Sequence, residues 1–98
     1  MKTPNCISPK IRQSARGEDC ALRGPTCSCD PSTTVLAHLR FFNSAGVGQK
    51  PHDFHAVYAC HSCHMAMDRH TGVIGWDDIL RALMETQSKL YAKGLIHV

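Results

Sequence analysis

The most regular hydrophobic pattern lies near the C-terminus. Ile79, Leu80, Leu83, Met84, Leu90 and Tyr91 recur at helical spacing and predict an amphipathic helix over Trp76–Lys93. Asp77 and Asp78 suit its positive end, and Lys93 with Gly94 suit its close. Upstream the pattern shortens. Thr33–Arg40 holds β-branched and apolar residues and predicts a strand, and Phe54–Ala59 predicts a second, short one. Between them runs a glycine-bearing loop from Asn43 to Pro51 that contains Gly46, Gly48 and Lys50. Cys60 to His64 leads into a short predicted helix, Met65–Arg69, opened by His64 and stopped by Gly72. Residues 10–16 have room for one or two helical turns before Gly17, and residues 1–9 read as a disordered arm. The fold class is therefore α+β in one domain, residues 10–98.

A chain of 98 residues buries only a limited core. Six cysteines are the natural supplement. The first sixteen residues are polar and basic, with no apolar leader, and no stretch approaches the roughly 20 apolar residues of a membrane span. This points to the cytoplasm, where disulfides are rare, and so to metal binding. The net charge of +3 agrees with a nucleic-acid partner but is too small to argue for one alone.

Cys60-x-x-Cys63 is the sharpest motif, because two thiolates at this spacing can grip one tetrahedral ion from a turn. A redox CxxC belongs at the start of a long helix in a βαβ setting, and no such pattern surrounds this one. The second pair is Cys20 with either Cys27 or Cys29, with six or eight residues between them, and either loop can reach. Zn²⁺ on these four thiols would clip together the two ends of the strand-loop-strand segment. Cys6 has no near cysteine and reads as a free thiol.

His64 and Asp68 stand four residues apart, on one face of the short helix, and both can ligate one metal ion. His38 lies in the first strand. A hairpin packed on that helix can set His38 opposite a helix-borne ion with a phosphodiester between them. His38 would then take a proton from attacking water while the ion stabilises charge on the phosphate. Arg16, Arg40, Lys50 and Arg69 are candidates for phosphate contacts. His52, His55, His61, His70 and His97 read as surface residues. The competing reading is a non-catalytic zinc module that binds nucleic acid or a recombination protein.

Four segments carry a family resemblance: Ala15-Arg16-Gly17-Glu18-Asp19-Cys20, Thr34-Val35-Leu36-Ala37-His38-Leu39-Arg40, Gly48-x-Lys50-Pro51-x-Asp53, and Ala59-Cys60-x-x-Cys63-His64-x-x-x-Asp68. Together they resemble the YbcO-like nucleases of lambdoid phages and prophages. These are similar to the recombination-enhancing nuclease Ref and, more broadly, to HNH endonucleases of the ββα-metal (His-Me finger) fold. The resemblance spans roughly residues 10–98. It implies a DNA endonuclease of a phage-infected bacterium, with His38 as general base and Asp53 near the position of the middle Asn. It makes His64 and Asp68 ligands of Mg²⁺ or Mn²⁺, and Cys20, Cys27, Cys60 and Cys63 ligands of a structural zinc, with Cys27 favoured over Cys29. Ala37 stands where many HNH enzymes carry a metal-binding Asp or His, which leaves an ion with two protein ligands and water or phosphate for the rest.

Overall fold

The computed structural model describes residues 6–40, 52–69 and 72–97, and Lys50 and His70 lie outside them. Two strands, β1 (Val35–His38) and β2 (Ala56–Ala59), form an antiparallel pair in which Val35 faces Ala59 and His38 faces Ala56. Among the described residues, three α-helices surround the pair: α1 (Pro9–Gln13), α2 (His61–Asp68) and α3 (Trp76–Ala92). The domain is thus a small α+β unit. No helix of the described residues is long and apolar enough to cross a membrane.

Local chemistry moves several boundaries from where the residue pattern puts them. Asp30 accepts hydrogen bonds from the Ser32 amide and hydroxyl and, with Pro31, starts a 3-10 turn over Pro31–Thr33. Strand β1 therefore begins at Val35 rather than Thr33. A turn closed by the His55 amide on the His52 carbonyl delays β2 to Ala56. Helix α2 begins at His61, not at His64 or Met65, because the Cys60 thiol accepts from the Cys63 amide as its N-cap. Sulfur is not among the preferred capping atoms, so the pattern carries no sign of it.

Residues 6–9, expected in a disordered arm, are tied down. The Cys6 amide donates to His52 Nδ1 and the Cys6 carbonyl accepts from the Asp53 amide. Ser8 caps α1, and Pro9 occupies the first turn, where its missing N–H costs nothing.

β2 is the centre of the core. Each of its residues is buried, on both faces. Tyr58 turns its amide and carbonyl away from β1. Its carbonyl accepts from the Ala21 amide at 2.7 Å, and its amide donates to the Thr86 hydroxyl at 3.0 Å. Loop 20–22 and α3 thus close the edge that a two-stranded sheet leaves open. The Tyr58 hydroxyl shares a hydrogen bond with Ser14.

Helix α3 buries Ile79, Ala82, Thr86 and Leu90. Leu80, Met84 and Tyr91, expected on the core face, are each about 60% exposed. The apolar positions wrap more of the helix than one packing face can cover. Polar contacts hold α3 in place. Arg81 donates to the carbonyls of Ala21 and Leu22, and Glu18 pairs with Lys89 and Lys93. At its end Gly94, at φ +74°, allows Leu95 and Gly94 to donate to the carbonyls of Leu90 and Tyr91, a Schellman closure that needs the left-handed residue.

Thr86→Val keeps shape and removes the acceptor of the buried Tyr58 amide. We expect a loss of about 1–3 kcal/mol in urea unfolding, with an unchanged m-value. An unchanged midpoint would show that this edge bond does not support the fold.

Candidate functional site

The first centre is built from thiols. Cys20 comes from the loop held under α3, Cys27 from the turn that Gly24 closes with the Cys27 amide, and Cys60 and Cys63 from the start of α2. The four sulfur atoms all lie within 4.8 Å of one another. Cys27 and Cys60 are 3.8 Å apart, close to the edge of a tetrahedron with Zn–S bonds of about 2.3 Å. Four such donors could hold a metal such as zinc. Cys29, the alternative to Cys27, sits 3.9 Å from Cys27 but is exposed and outside the mutual group.

The surroundings suit thiolates at one end of the group more than the other. Burial works against ionisation of Cys60, but hydrogen bonds from Ser28 and from the Cys63 amide outweigh it and bring its pKa down to about 6. Burial pushes the Cys63 thiol well above the normal range and Cys27 up to about 11. Gly24 donates its amide toward Cys63, and a Cβ on it would come within 2.2 Å of Ile74 Cδ1. A side chain there would have to displace the end of Ile74, whereas the sulfur of Cys63 would stay at ordinary contact distance, 3.7 Å.

The second centre is built around Asp53. Its side chain is fully buried and accepts from three donors: the Ser8 amide, Arg12 Nε at 3.2 Å, and His38 Nε2 at 2.8 Å. Burial alone would raise its pKa, but the Ser8 amide, His38 and Arg12 together hold it below the usual carboxylate range. A carboxylate can only accept, so the contact keeps the His38 proton on Nε2. Nδ1 is left with its lone pair and makes no hydrogen bond among the described residues. The ring is held, half-buried, on the wall of a cavity of 530 Å³ also lined by Arg12, Arg16 and Arg40.

On α2, His64 Nε2 and Asp68 Oδ2 lie 3.2 Å apart, both at least one-third exposed. Among the described residues, the four cysteines are the one group of three or more ligand side chains close enough to hold an ion together. His64 and Asp68 thus meet as a pair without a third ligand. Arg69 borders a different cavity, with Ser62, Met65 and Val73. His61 and His97 are exposed as expected, whereas His52 and His55 are half-buried and His52 anchors Cys6.

Arg12 is absent from the residues the motifs single out. Its one signal in the sequence is its place four residues before Arg16. Ser8 offers no signal of its contact with Asp53, because there it acts through its backbone amide.

The lowered pKa of Asp53 fixes a sign. Its contribution is present above the unfolded value of about 3.9 and is lost as pH falls through the lower folded value. Asp53→Asn should be less stable than the parent at neutral pH, with the gap closing below pH about 4. Urea unfolding across pH checks this, and a gap that does not change with pH would contradict it.

The comparisons with known proteins agree with one another. A family model described as "Putative nuclease YbcO" matches residues 9–94. Two relatives, "Putative nuclease YbcO" of Escherichia coli (strain K12) and "Putative nuclease ybcO" of Enterobacteria phage 82, are each 45% identical over 62 residues. That alignment covers 62% of this chain and 65% of each relative, just under two thirds of their length. A solved structure described as "a putative bacteriophage protein from Escherichia coli str. K-12 substr. MG1655" is similar at TM-score 0.67 and 34% identity, over 87% of this chain and 100% of that one. The chain belongs to the YbcO family, whose model matches 86 of its 98 residues.

Proposed function

We propose that the protein is a metal-dependent endonuclease that hydrolyses DNA phosphodiester bonds, with His38 as its general base. The observation that carries this is the pairing of His38 with buried Asp53 on the wall of an arginine-lined cavity. A histidine held by a carboxylate through Nε2 presents Nδ1 to an attacking water. When Nδ1 takes the proton, the Asp53 carboxylate balances the imidazolium that forms. Arg16 and Arg40 have no acidic partner among the described residues, so their charge is available to a phosphate. Arg69 and Lys50 are further contacts for the nucleic-acid backbone.

The element order supports this reading: a strand with His38, a second strand, then a helix with His64 and Asp68 is the order that the resemblance to ββα-metal domains implies. One imidazole and one carboxylate suit Mg²⁺ or Mn²⁺, which keep several waters. A divalent ion held by this pair would supply charge stabilisation to the phosphate and the leaving oxygen. Cys20, Cys27, Cys60 and Cys63 would hold a separate structural Zn²⁺. The setting would be the cytoplasm of a bacterium carrying the phage or prophage, with a recombination protein as a further partner.

The absence of a third ligand beside His64 and Asp68, among the described residues, favours a second reading. In it the protein is a zinc module that binds nucleic acid without cutting.

Supercoiled plasmid and single-stranded circles, with Mg²⁺, Mn²⁺ or chelator, separate the two. Nicking that needs added metal is expected. In His38→Ala it should fall by about 10²–10⁴-fold, with fold and zinc content unchanged. Equal nicking by His38→Ala would remove the histidine from the mechanism. DNA retardation with no nicking under any condition would leave the binding module. Metal analysis should find about one tightly held zinc per chain, and its removal should unfold the protein. A folded, metal-free chain would overturn the structural role of the ion.

A further inference from the structure

We propose that the cavity between α1 and β1 is a built subsite for a backbone phosphate of the nucleic-acid strand. Its ligands are Arg12, Arg16, Arg40 and the hydroxyl of Thr34. The inference rests on the reading of His38 as acting on a phosphodiester, because the same cavity includes His38.

Two independent observations meet there. The first is Thr34. It lines the cavity, the residue is 96% buried, and its hydroxyl makes no hydrogen bond among the described residues. A buried hydroxyl without a partner is costly and uncommon, and nothing in the packing requires one, since valine has the same shape. The hydroxyl oxygen is shielded from solvent in this structure, so Thr34 would turn toward the cavity for a phosphate oxygen to accept its proton.

The second is the division of labour within Arg12. Its Nε donates to both carboxylate oxygens of Asp53 at 3.2 Å. Its two terminal nitrogens make no hydrogen bond among the described residues, while the side chain borders the cavity. One planar guanidinium can therefore brace the carboxylate that orients His38 and also offer donors to an anion, a task that lysine cannot perform. Arg16 and Arg40 add exposed positive charge to the same walls, and among the described residues no carboxylate lines the cavity. At 530 Å³ it has room for a phosphate with part of its sugar.

The bound phosphate would be a neighbour of the scissile one. Holding it would set the register of the strand against His38. Through Arg12, the same contact would favour the orientation of the Asp53–His38 pair that leaves Nδ1 open.

The test is binding without turnover. Zinc-loaded protein is titrated with a fluorescent single-stranded oligonucleotide, with no added divalent ion, at several salt concentrations. Thr34→Val should bind about tenfold more weakly, while its unfolding midpoint stays the same or rises. A residue needed only for packing would not show that combination. Arg16→Gln with Arg40→Gln should lower the slope of log K against log salt by about 1.4, the change for two contacts on a single strand. In the parent, inorganic phosphate should shift the NMR signals of Thr34 and Arg12. Unchanged oligonucleotide affinity in Thr34→Val, or phosphate shifts confined to other residues, would overturn the subsite. These readouts do not depend on cleavage. A protein that binds in this way but never nicks loses the nuclease reading alone. One that nicks while Thr34→Val binds like the parent loses the subsite alone.

Discussion

The structure depends on a four-residue strand that has no exposed side. β2 lies beneath α3, beside β1, and against loop 20–22, so every backbone group it carries needs a partner inside the protein. Its inner edge is satisfied by β1. Its outer edge is satisfied at Tyr58 by one amide from the loop and one hydroxyl from α3. Those two bonds explain why α3 carries a buried threonine, and why Arg81 reaches back to hold the carbonyls of Ala21 and Leu22.

Both chemical centres hang from the ends of this strand. Asp53 lies three residues before it and Cys60 directly follows it. At one end, the buried carboxylate gathers Ser8, Arg12 and His38. At the other, the thiol of Cys60 starts α2 and meets Cys27. A strand fixed on all sides is a stiff spacer. It holds the geometry of the two centres without needing a large core, which a chain of 98 residues cannot build.

The thiol centre was largely legible in the sequence. CxxC is a local signal, and the upstream cysteines are few enough to enumerate. The choice between Cys27 and Cys29 was not legible from spacing, because both loops reach. It depends on the turn at Gly24, which directs Cys27 inward and leaves Cys29 exposed at φ +54°. The histidine centre was legible only in part. His38 and Asp53 could be named from the family pattern. Their direct hydrogen bond joins residues fifteen apart across a loop, and Arg12 comes from 41 residues away. No periodicity encodes such pairings. The same holds for the capping thiol of Cys60 and the anchored Cys6–Ser8 segment, where backbone donors act and side-chain identity is nearly silent.

Asp53 also shows why an N-terminal segment that looks dispensable is not. A buried carboxylate facing a lone histidine would be driven toward its neutral form by desolvation. It remains an anion because the Ser8 amide and the Arg12 guanidinium supply two further donors, and both stand in the first thirteen residues of the chain. The backbone pairing of Cys6 with His52 and Asp53 keeps those donors in place. The ionisation of Asp53, and with it the tautomer of His38, therefore depends on residues whose polar, proline-bearing sequence reads as a tail. What distinguishes the segment from a tail is not its composition but a charge in the core that needs its donors.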